Sequence, residues 1–381
     1  MDKLRYLTAG ESHGKALVGI LEGVPAGLRV TVEEIDKELR RRQQGYGRGG
    51  RMKIENDHAE IISGVRNALS MGGPISLMIE NADWENWKEQ MAVEEITSEI
   101  ETVTIPRPGH ADLAGHYKFG HDDLRNVIER SSARETAMRV GLGAVAKLLL
   151  SECGITIGSH VISINGARLS APNEKLSPLK INELADASRV RCIDRDSSEK
   201  MVDSIKLAVK NKDTVGGVFE VVAAGLPAGL GSYTHWDRKL DGSIAKAVMS
   251  IPAIKGVEVG PAFDNAALFG SEVHDEILPG DGDYIRPTNR AGGLEGGVTN
   301  GKPIVIRAAM KPISTLRQPL KSVDLSTGKE VDSRYERSDV CAVPAAAVIG
   351  EAMLALVLAD ALLEKFGGDS MEELLARVPK R

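Results

Sequence analysis

Short apolar runs punctuated by glycine and proline dominate the chain, with longer stretches of helical spacing between them. Residues 4–8, 16–24, 59–65, 75–80, 155–169, 217–224 and 302–311 have the length and apolar character of strands. Residues 32–43 follow Thr31-Val-Glu-Glu34, a capping-box pattern, and are predicted as a helix. Further helices are predicted over 198–210 and 240–249, and a long apolar one over 345–366 stops at Gly367-Gly368. Val127, Ile128, Ala133, Ala137 and Val140 predict a helix running to about Cys153, with Gly154 ending it. Ser132 and Glu135 stand three apart and mark either the entrance of that helix or a break within it. The stretch before it, RPGHADLAGHYKFGH, is too broken by glycine and proline for a regular element and is predicted as loop. Residues 84–105 form an excursion without clear placement.

One internal echo bears on the architecture. Gly23-Val-Pro-Ala-Gly-Leu28 recurs as Gly225-Leu-Pro-Ala-Gly-Leu230, each time after an apolar strand. Ala146-Lys147 and Ala245-Lys246 also each precede a strand. The echo points to two similar α/β halves, roughly 1–170 and 171–381, sharing one core. With no Pro/Ser-rich linker between them, residues 1–381 are expected to form a single unit.

Composition narrows the partners. The 381 residues carry a net charge of −6, which argues against wholesale nucleic-acid binding. Three cysteines, widely spaced, fit neither a disulfide framework nor a zinc site. No apolar signal core opens the chain and no stretch reaches bilayer length, so a soluble, cytoplasmic protein without a membrane partner is expected.

The arginines, by contrast, are clumped. Residues 40–51, RRRQQGYGRGGR, hold five of them, which reads as a solvated loop, an RNA-binding segment tested by salt-dependent binding, or a clamp for phosphate and carboxylates. The acidic net charge tips the balance to a small anion. The first three sit on a helix end, so one or two at most can face a common site. In Gly10-Glu-Ser-His13-Gly14, glycines bare His13 as an acid or base, or simply make a turn. His110, His116 and His121 are spaced for no common metal site. Gly292–Gly301 leads into a strand, the reverse of a dinucleotide-binding fingerprint. Asp339 is either the ion-pair partner of Arg337 or a general base, and Cys341 a small buried hydrophobe.

Taken in order, AGESHG, GYGRGGRM, RPGHAD, ERSSARETA, KGVEVG, GGLEGGVTNG, KPIST and RSDVCAVPA closely resemble the chorismate synthase family over essentially the whole chain. The resemblance implies an α+β fold, a β-α-β sandwich of two similar halves assembled as a homotetramer. It implies a carbon–oxygen lyase that eliminates phosphate from 5-enolpyruvylshikimate 3-phosphate in an anti-1,4 sense, using reduced FMN without net redox change. By position, His13 is similar to the acid that assists the departing phosphate, His110 to the group that protonates reduced flavin, and Asp339 to the base acting with flavin N5. Arg42, Arg48, Arg107, Arg134 and Arg337 match anion-binding arginines, Arg42 and Arg48 also serving NADPH if the protein reduces its own flavin; otherwise an external flavin reductase is implied. Arg130, Ser131, Ser132, Gly296, Lys311, Pro312, Ile313, Ser314, Thr315 and Arg337 match flavin contacts. Pro252 departs from the amide residue expected there, so a contact at Pro252–Ala253 must use the Ala253 backbone. His116 and His121 are expected to be structural or peripheral, with Ser131 and Ser132 facing flavin. A different flavoprotein, an oxidoreductase consuming nicotinamide, is the competing enzyme class.

Overall fold

A computed structural model describes residues 3–49, 56–170, 176–280, 284–336 and 338–379. Alternation along β2 (Ala16–Glu22) buries Leu17 and Leu21 and exposes Val18 and Ile20, as expected for a strand covered on one face. With β1 (Arg5–Ala9), β3 (Ala59–Ser63) and β4 (Ile75–Glu80) it forms an antiparallel sheet of order β1-β2-β4-β3. A second antiparallel sheet comprises β5 (Thr156–Ile164), β6 (Ala167–Arg168), β7 (Gly217–Ala224), β8 (Ile254–Val259) and β9 (Ile304–Met310), in the order β8-β9-β7-β5-β6.

Between the sheets lies a helical layer. It contains α1 (Val32–Gln43), α4 (Thr136–Glu152), α7 (Leu240–Met249) and the 24-residue α8 (Val343–Phe366). Here α2 (Asp112–Phe119), α3 (Arg125–Ser131), α5 (Pro178–Asp186) and α6 (Arg195–Lys210) lie outside that layer's centre. The fold is thus an α+β, β-α-β sandwich. At the α4–α8 contact a Cβ on Gly143 would lie 2.5 Å from the Ala352 Cβ, so this close crossing requires glycine.

The echo occupies equivalent places. In each half two antiparallel strands lead into the Pro-Ala-Gly-Leu turn, then a helix, a third strand, a short hairpin, a fourth strand and a long helix. Leu28 N–H donates to Ser70 Oγ at 2.9 Å, and that hydroxyl donates to Pro25 O at 2.6 Å. Likewise Leu230 N–H donates to Thr299 Oγ1 at 2.8 Å, and that hydroxyl to Pro227 O at 2.8 Å. The chain passes from the first sheet to the second after α4, near residue 154 rather than 170.

Several expectations change. The stretch expected to be loop contains α2, whose apolar side chains Tyr117 and Phe119 are exposed, so no burial periodicity announced it. The helix expected from Val127 is two helices, broken at Ser132, whose Oγ accepts from Arg134 N–H at 3.3 Å. The strand β8 and helix α5 were not foreseen. By length and composition α8 could cross a bilayer, against the expectation that no stretch could, but its side chains are packed inside the protein.

At the centre of the helical layer sits a fully buried carboxylate, Glu351 of α8. It accepts from Arg41 Nη2 and Nη1 (2.9 Å each), Lys147 Nζ (2.7 Å) and Ser159 Oγ (2.6 Å). Burial alone would raise its pKa; Arg41 and Lys147 overcome that and hold it below the usual carboxylate range. Replacing Glu351 with Ala strands these cations, and an unfolding free-energy loss of about 3–5 kcal/mol is expected from denaturant titration. Because the native pKa lies below the unfolded value of about 4.3, the stabilisation is present above that value and lost as pH falls through the native one. The stability gap between wild type and Glu351→Gln should therefore be widest above about pH 5 and narrow below about pH 4.

Candidate active site

The loop between β1 and β2 carries His13, and α3 holds it from below. Glu129 Oε2 accepts the His13 backbone N–H at 2.7 Å, and Oε1 lies 2.9 Å from His13 Nδ1. The imidazole stacks on Trp87, with centroids 4.1 Å apart, and the Arg125 guanidinium lies 5.0 Å from the same indole. Burial would raise the Glu129 pKa, but its bonds to His13 win and hold it below its ordinary value. The unplaced excursion after β4 thus supplies an aromatic cover for His13.

Behind this loop two buried arginines share one carboxylate. Asp57 pairs with Arg134 Nη1 and with Arg42 Nη1 at 3.4 Å. Arg42 also donates to Thr136 Oγ1 (2.9 and 3.1 Å) and to Ala133 O (3.0 Å), and Arg134 Nε to Asn81 Oδ1 (2.8 Å). Burial pushes the Arg42 guanidinium down to about 10; Asp57 opposes this, while Arg48 and Arg134 repel it further. Arg48 and Arg134 thus both lie within electrostatic reach of Arg42.

Arg48 Nη1 meets Asp339 Oδ2 at 2.9 Å, and Gly49 N–H donates to Asp339 Oδ1 at 2.6 Å. Val340 N–H donates to Gly47 O at 2.8 Å, so the glycine-rich loop and the segment before α8 are laced together. A cavity of about 500 Å³ opens here, lined by Arg48, Lys212, Thr315, Arg317 and Asp339 among others.

The remaining cluster lies on the turn before α2. Arg107 donates to Asp112 through its backbone N–H and Nε, and His110 Nδ1 also meets Asp112. Arg107 Nη1 donates to Thr315 Oγ1 at 3.2 Å, and Ser338 Oγ to Thr315 O at 3.3 Å. Lys311 Nζ donates to Gly109 O, and Lys311 N–H to Ala253 O, both at 2.9 Å. Residues 311–315 therefore join the His110 cluster to the Asp339 cluster. Burial, aided by Lys255, lowers the Lys311 pKa.

Other residues singled out by resemblance are placed differently. Arg130 clasps the β1–β2 loop, donating to Thr8 O (2.9 Å) and Gly10 O (3.2 Å). Ser131 Oγ donates to Val127 O within its own helix, whereas Ser132 Oγ receives Ser12 Oγ–H at 3.0 Å. Pro252 and Ala253 form the turn after α7, with Ala253 in a left-handed conformation at φ 69°. Gly296 lies between Leu294–Glu295 and Val298–Thr299, and Gly297 O accepts from Leu240 N–H at 3.0 Å. Leu240 opens the ten-residue α7, so Gly296 is roughly 15 Å, a helix length, from the Ala253 end. Arg337, and Gly50 and Arg51 of the arginine-rich loop, lie outside the described residues. His116 Nδ1 donates to His121 O at 2.7 Å, closing the end of α2.

Asp57, Asn81, Trp87, Asp112 and Glu129 were missed. Asp112 and Glu129 stand inside quoted motifs, two residues after His110 and just before Arg130, but their burial is visible only in three dimensions. A Cβ on Gly49 would meet Ser338 O at 2.8 Å and Asp339 Oδ1 at 3.3 Å. Gly49→Ala should therefore displace Asp339 and cut turnover at least about tenfold, with little change in melting temperature; steady-state kinetics and a thermal melt check both.

Residues 4–363 match the protein family described as chorismate synthase. The chorismate synthase of Aquifex aeolicus (strain VF5) is 56% identical, over 98% of this chain and 96% of the relative. That of Bacillus licheniformis is 53% identical, over 99% and 98% respectively. A solved structure described as the crystal structure of chorismate synthase superposes with a TM-score of 0.80 at 46% identity, over 98% of this chain and 96% of that one. On the fold, the ordered motifs and these relatives together, the chain belongs to the chorismate synthase family.

Proposed function

We propose that the four clusters work as one site for the family's reaction, loss of phosphate from 5-enolpyruvylshikimate 3-phosphate to give chorismate, the last shared step of aromatic amino acid biosynthesis. The observation that carries this reading is the pairing of two buried arginines, Arg42 and Arg134, on one carboxylate, Asp57, with a third, Arg48, on Asp339 beside a cavity. Three guanidinium groups against Asp57 and Asp339 leave a positive excess, which suits a substrate bearing two carboxylates and a phosphate.

His13 is the acid for the leaving phosphate. With Nδ1 occupied by Glu129, proton delivery falls to Nε2, and neighbouring arginines stabilise the charge that develops on phosphate. Asp339 is the base for the carbon-bound proton; Arg48 and the Gly49 N–H aim its carboxylate. Arg107 binds a substrate carboxylate, and Arg337 is assigned the same role from its motif. His110 gains and gives a proton at Nε2 beside the cofactor.

The donor set fits a phosphorylated, acceptor-rich heteroaromatic cofactor: the Lys311 ammonium, the Ser132 and Thr315 hydroxyls, Arg130 and the backbone of residues 311–315. When bound, reduced FMN supplies transient electron density that no side chain can. Ser131 and the Pro252–Ala253 turn border this region, and Gly296 reaches it only through a larger assembly than one chain. A homotetramer supplies such an assembly, and the exposed Leu7, Val18 and Ile20 on the outer face of the first sheet favour a covered surface there. With Arg42 and Arg48 assigned to the substrate, reduction of the flavin is assigned to an external flavin reductase rather than to NADPH bound at these two arginines. The free cysteines Cys153, Cys192 and Cys341 suit a reducing cytoplasm.

Anaerobic assay with substrate and chemically reduced FMN should release phosphate and form chorismate; no release would sink the reading. Asp339→Asn and His13→Ala should each lower kcat about 10²- to 10⁴-fold while flavin binding persists. Full turnover in either variant would remove that residue from its role. Turnover with oxidised FMN plus NADPH alone would overturn the external-reductase assignment.

A further inference from the structure

We propose that Asp112 is a positioning residue of the site, fixing the tautomer of His110 and the fork of Arg107 together. This deepens the role proposed for His110, although the tautomer it assigns stands independently of that role.

Asp112 opens α2, and its carboxylate is completely buried. Oδ2 accepts from Arg107 N–H at 3.0 Å and from Arg107 Nε at 2.9 Å. Oδ1 meets Arg107 Nη2 at 3.1 Å and His110 Nδ1 at 2.5 Å. His110 N–H donates to Arg107 O at 3.2 Å, so the turn folds back and brings all three side chains together. Burial alone would raise the Asp112 pKa; the bonds from His110 and Arg107 overcome it and hold the carboxyl well below its ordinary range. The carboxylate is thus ionised and can only accept.

His110 Nδ1 faces two groups at once, Asp112 Oδ1 at 2.5 Å and Arg107 Nη2 at 3.0 Å. A guanidinium only donates and a carboxylate only accepts, so Nδ1 cannot satisfy both. The shorter, charge-assisted contact decides. Nδ1 carries a hydrogen to Asp112, and Nε2 is the nitrogen that gains and loses a proton. Arg107 Nη2 also lies 3.4 Å from His110 Nε2, and Lys311, a further charged group near this turn, donates its ammonium to Gly109 O. Arg107 in turn reaches Thr315, so one carboxylate sets both the proton-holding nitrogen and a guanidinium directed at residues 311–315.

Asp112→Asn separates this role from simple packing. Oδ2 already receives two Arg107 donors, so an asparagine keeps its carbonyl there and turns its NH2 to His110 Nδ1. The imidazole must then flip to the Nε2–H tautomer. Nitrogen NMR of ¹⁵N-histidine-labelled, full-length, flavin-free protein reads this directly, with His110 assigned through its loss in His110→Asn. Neutral His110 is expected as Nδ1–H in the wild type and as Nε2–H in Asp112→Asn. Turnover of Asp112→Asn is expected to fall about 10²- to 10⁴-fold. In a His110→Asn background the same change should cost less than it does in the wild type, because the part that acts through the imidazole is already lost and only the hold on Arg107 remains. An Nε2–H tautomer in the wild type overturns the proposal, and this measurement stands even if the variant does not fold. Unchanged tautomer in Asp112→Asn overturns it too. A flipped tautomer with undiminished turnover upholds the hold of Asp112 on His110 and overturns the role given to His110.

Discussion

The interior hangs on Glu351. A carboxylate taken wholly out of water must be met by cations, and here they come from separate elements: Arg41 from α1, Lys147 from α4, with Ser159 from β5 adding a hydroxyl. Each partner is placed by the others, so the cluster ties the helical layer to the second sheet. It also decides what the end of α1 presents. Successive residues on a helix are turned by about 100°, so three adjacent arginines face three directions. With Arg41 locked to Glu351, Arg42 is turned to Asp57 and Thr136, and Arg40 is left exposed. Of the three, only Arg42 faces the Asp57 cluster.

The site repeats that logic on a smaller scale. Asp57 is shared by Arg42 and Arg134, Asp112 by Arg107 and His110, and Glu129 by His13 and Arg125. Each carboxylate fixes two basic groups and neutralises at most one charge. On the function proposed, the groups are thereby aimed before substrate arrives, with a positive excess kept for it. Such preorganisation spares the reorganisation that flexible arginines would otherwise need at the moment of binding.

The two halves share a strand order and the same hydroxyl-bridged turn, but the chemistry is not shared evenly. His13, Arg42, Arg48 and Asp57 come from the first half, as do Arg107, His110 and Arg134. The second contributes residues 311–315 and Asp339. Several segments of the proposed site are departures from the repeat: the excursion holding Trp87, the turn before α2, and the run between β9 and α8. These segments bury little apolar surface of their own, which is why hydrophobic periodicity placed the sheets and long helices but not α2 or the cover over His13.

Local sequence was sufficient for what depends on neighbours in the chain: strands with alternating burial, the capped start of α1, the Pro-Ala-Gly-Leu turns, and the ordered motifs that identify the family. It could not say which of Arg40, Arg41 and Arg42 faces Asp57, that the Ser131 hydroxyl donates within its own helix, or that Gly296 and Ala253 lie at opposite ends of α7. Nor could it single out Asp57, Asp112 and Glu129 among 54 acidic residues. Those outcomes turn on burial and on pairing between residues 2 to 310 positions apart, as His110–Asp112 and Arg41–Glu351 show. A buried charge is acceptable only where the fold brings its counter-charge, and only the tertiary structure decides where that is.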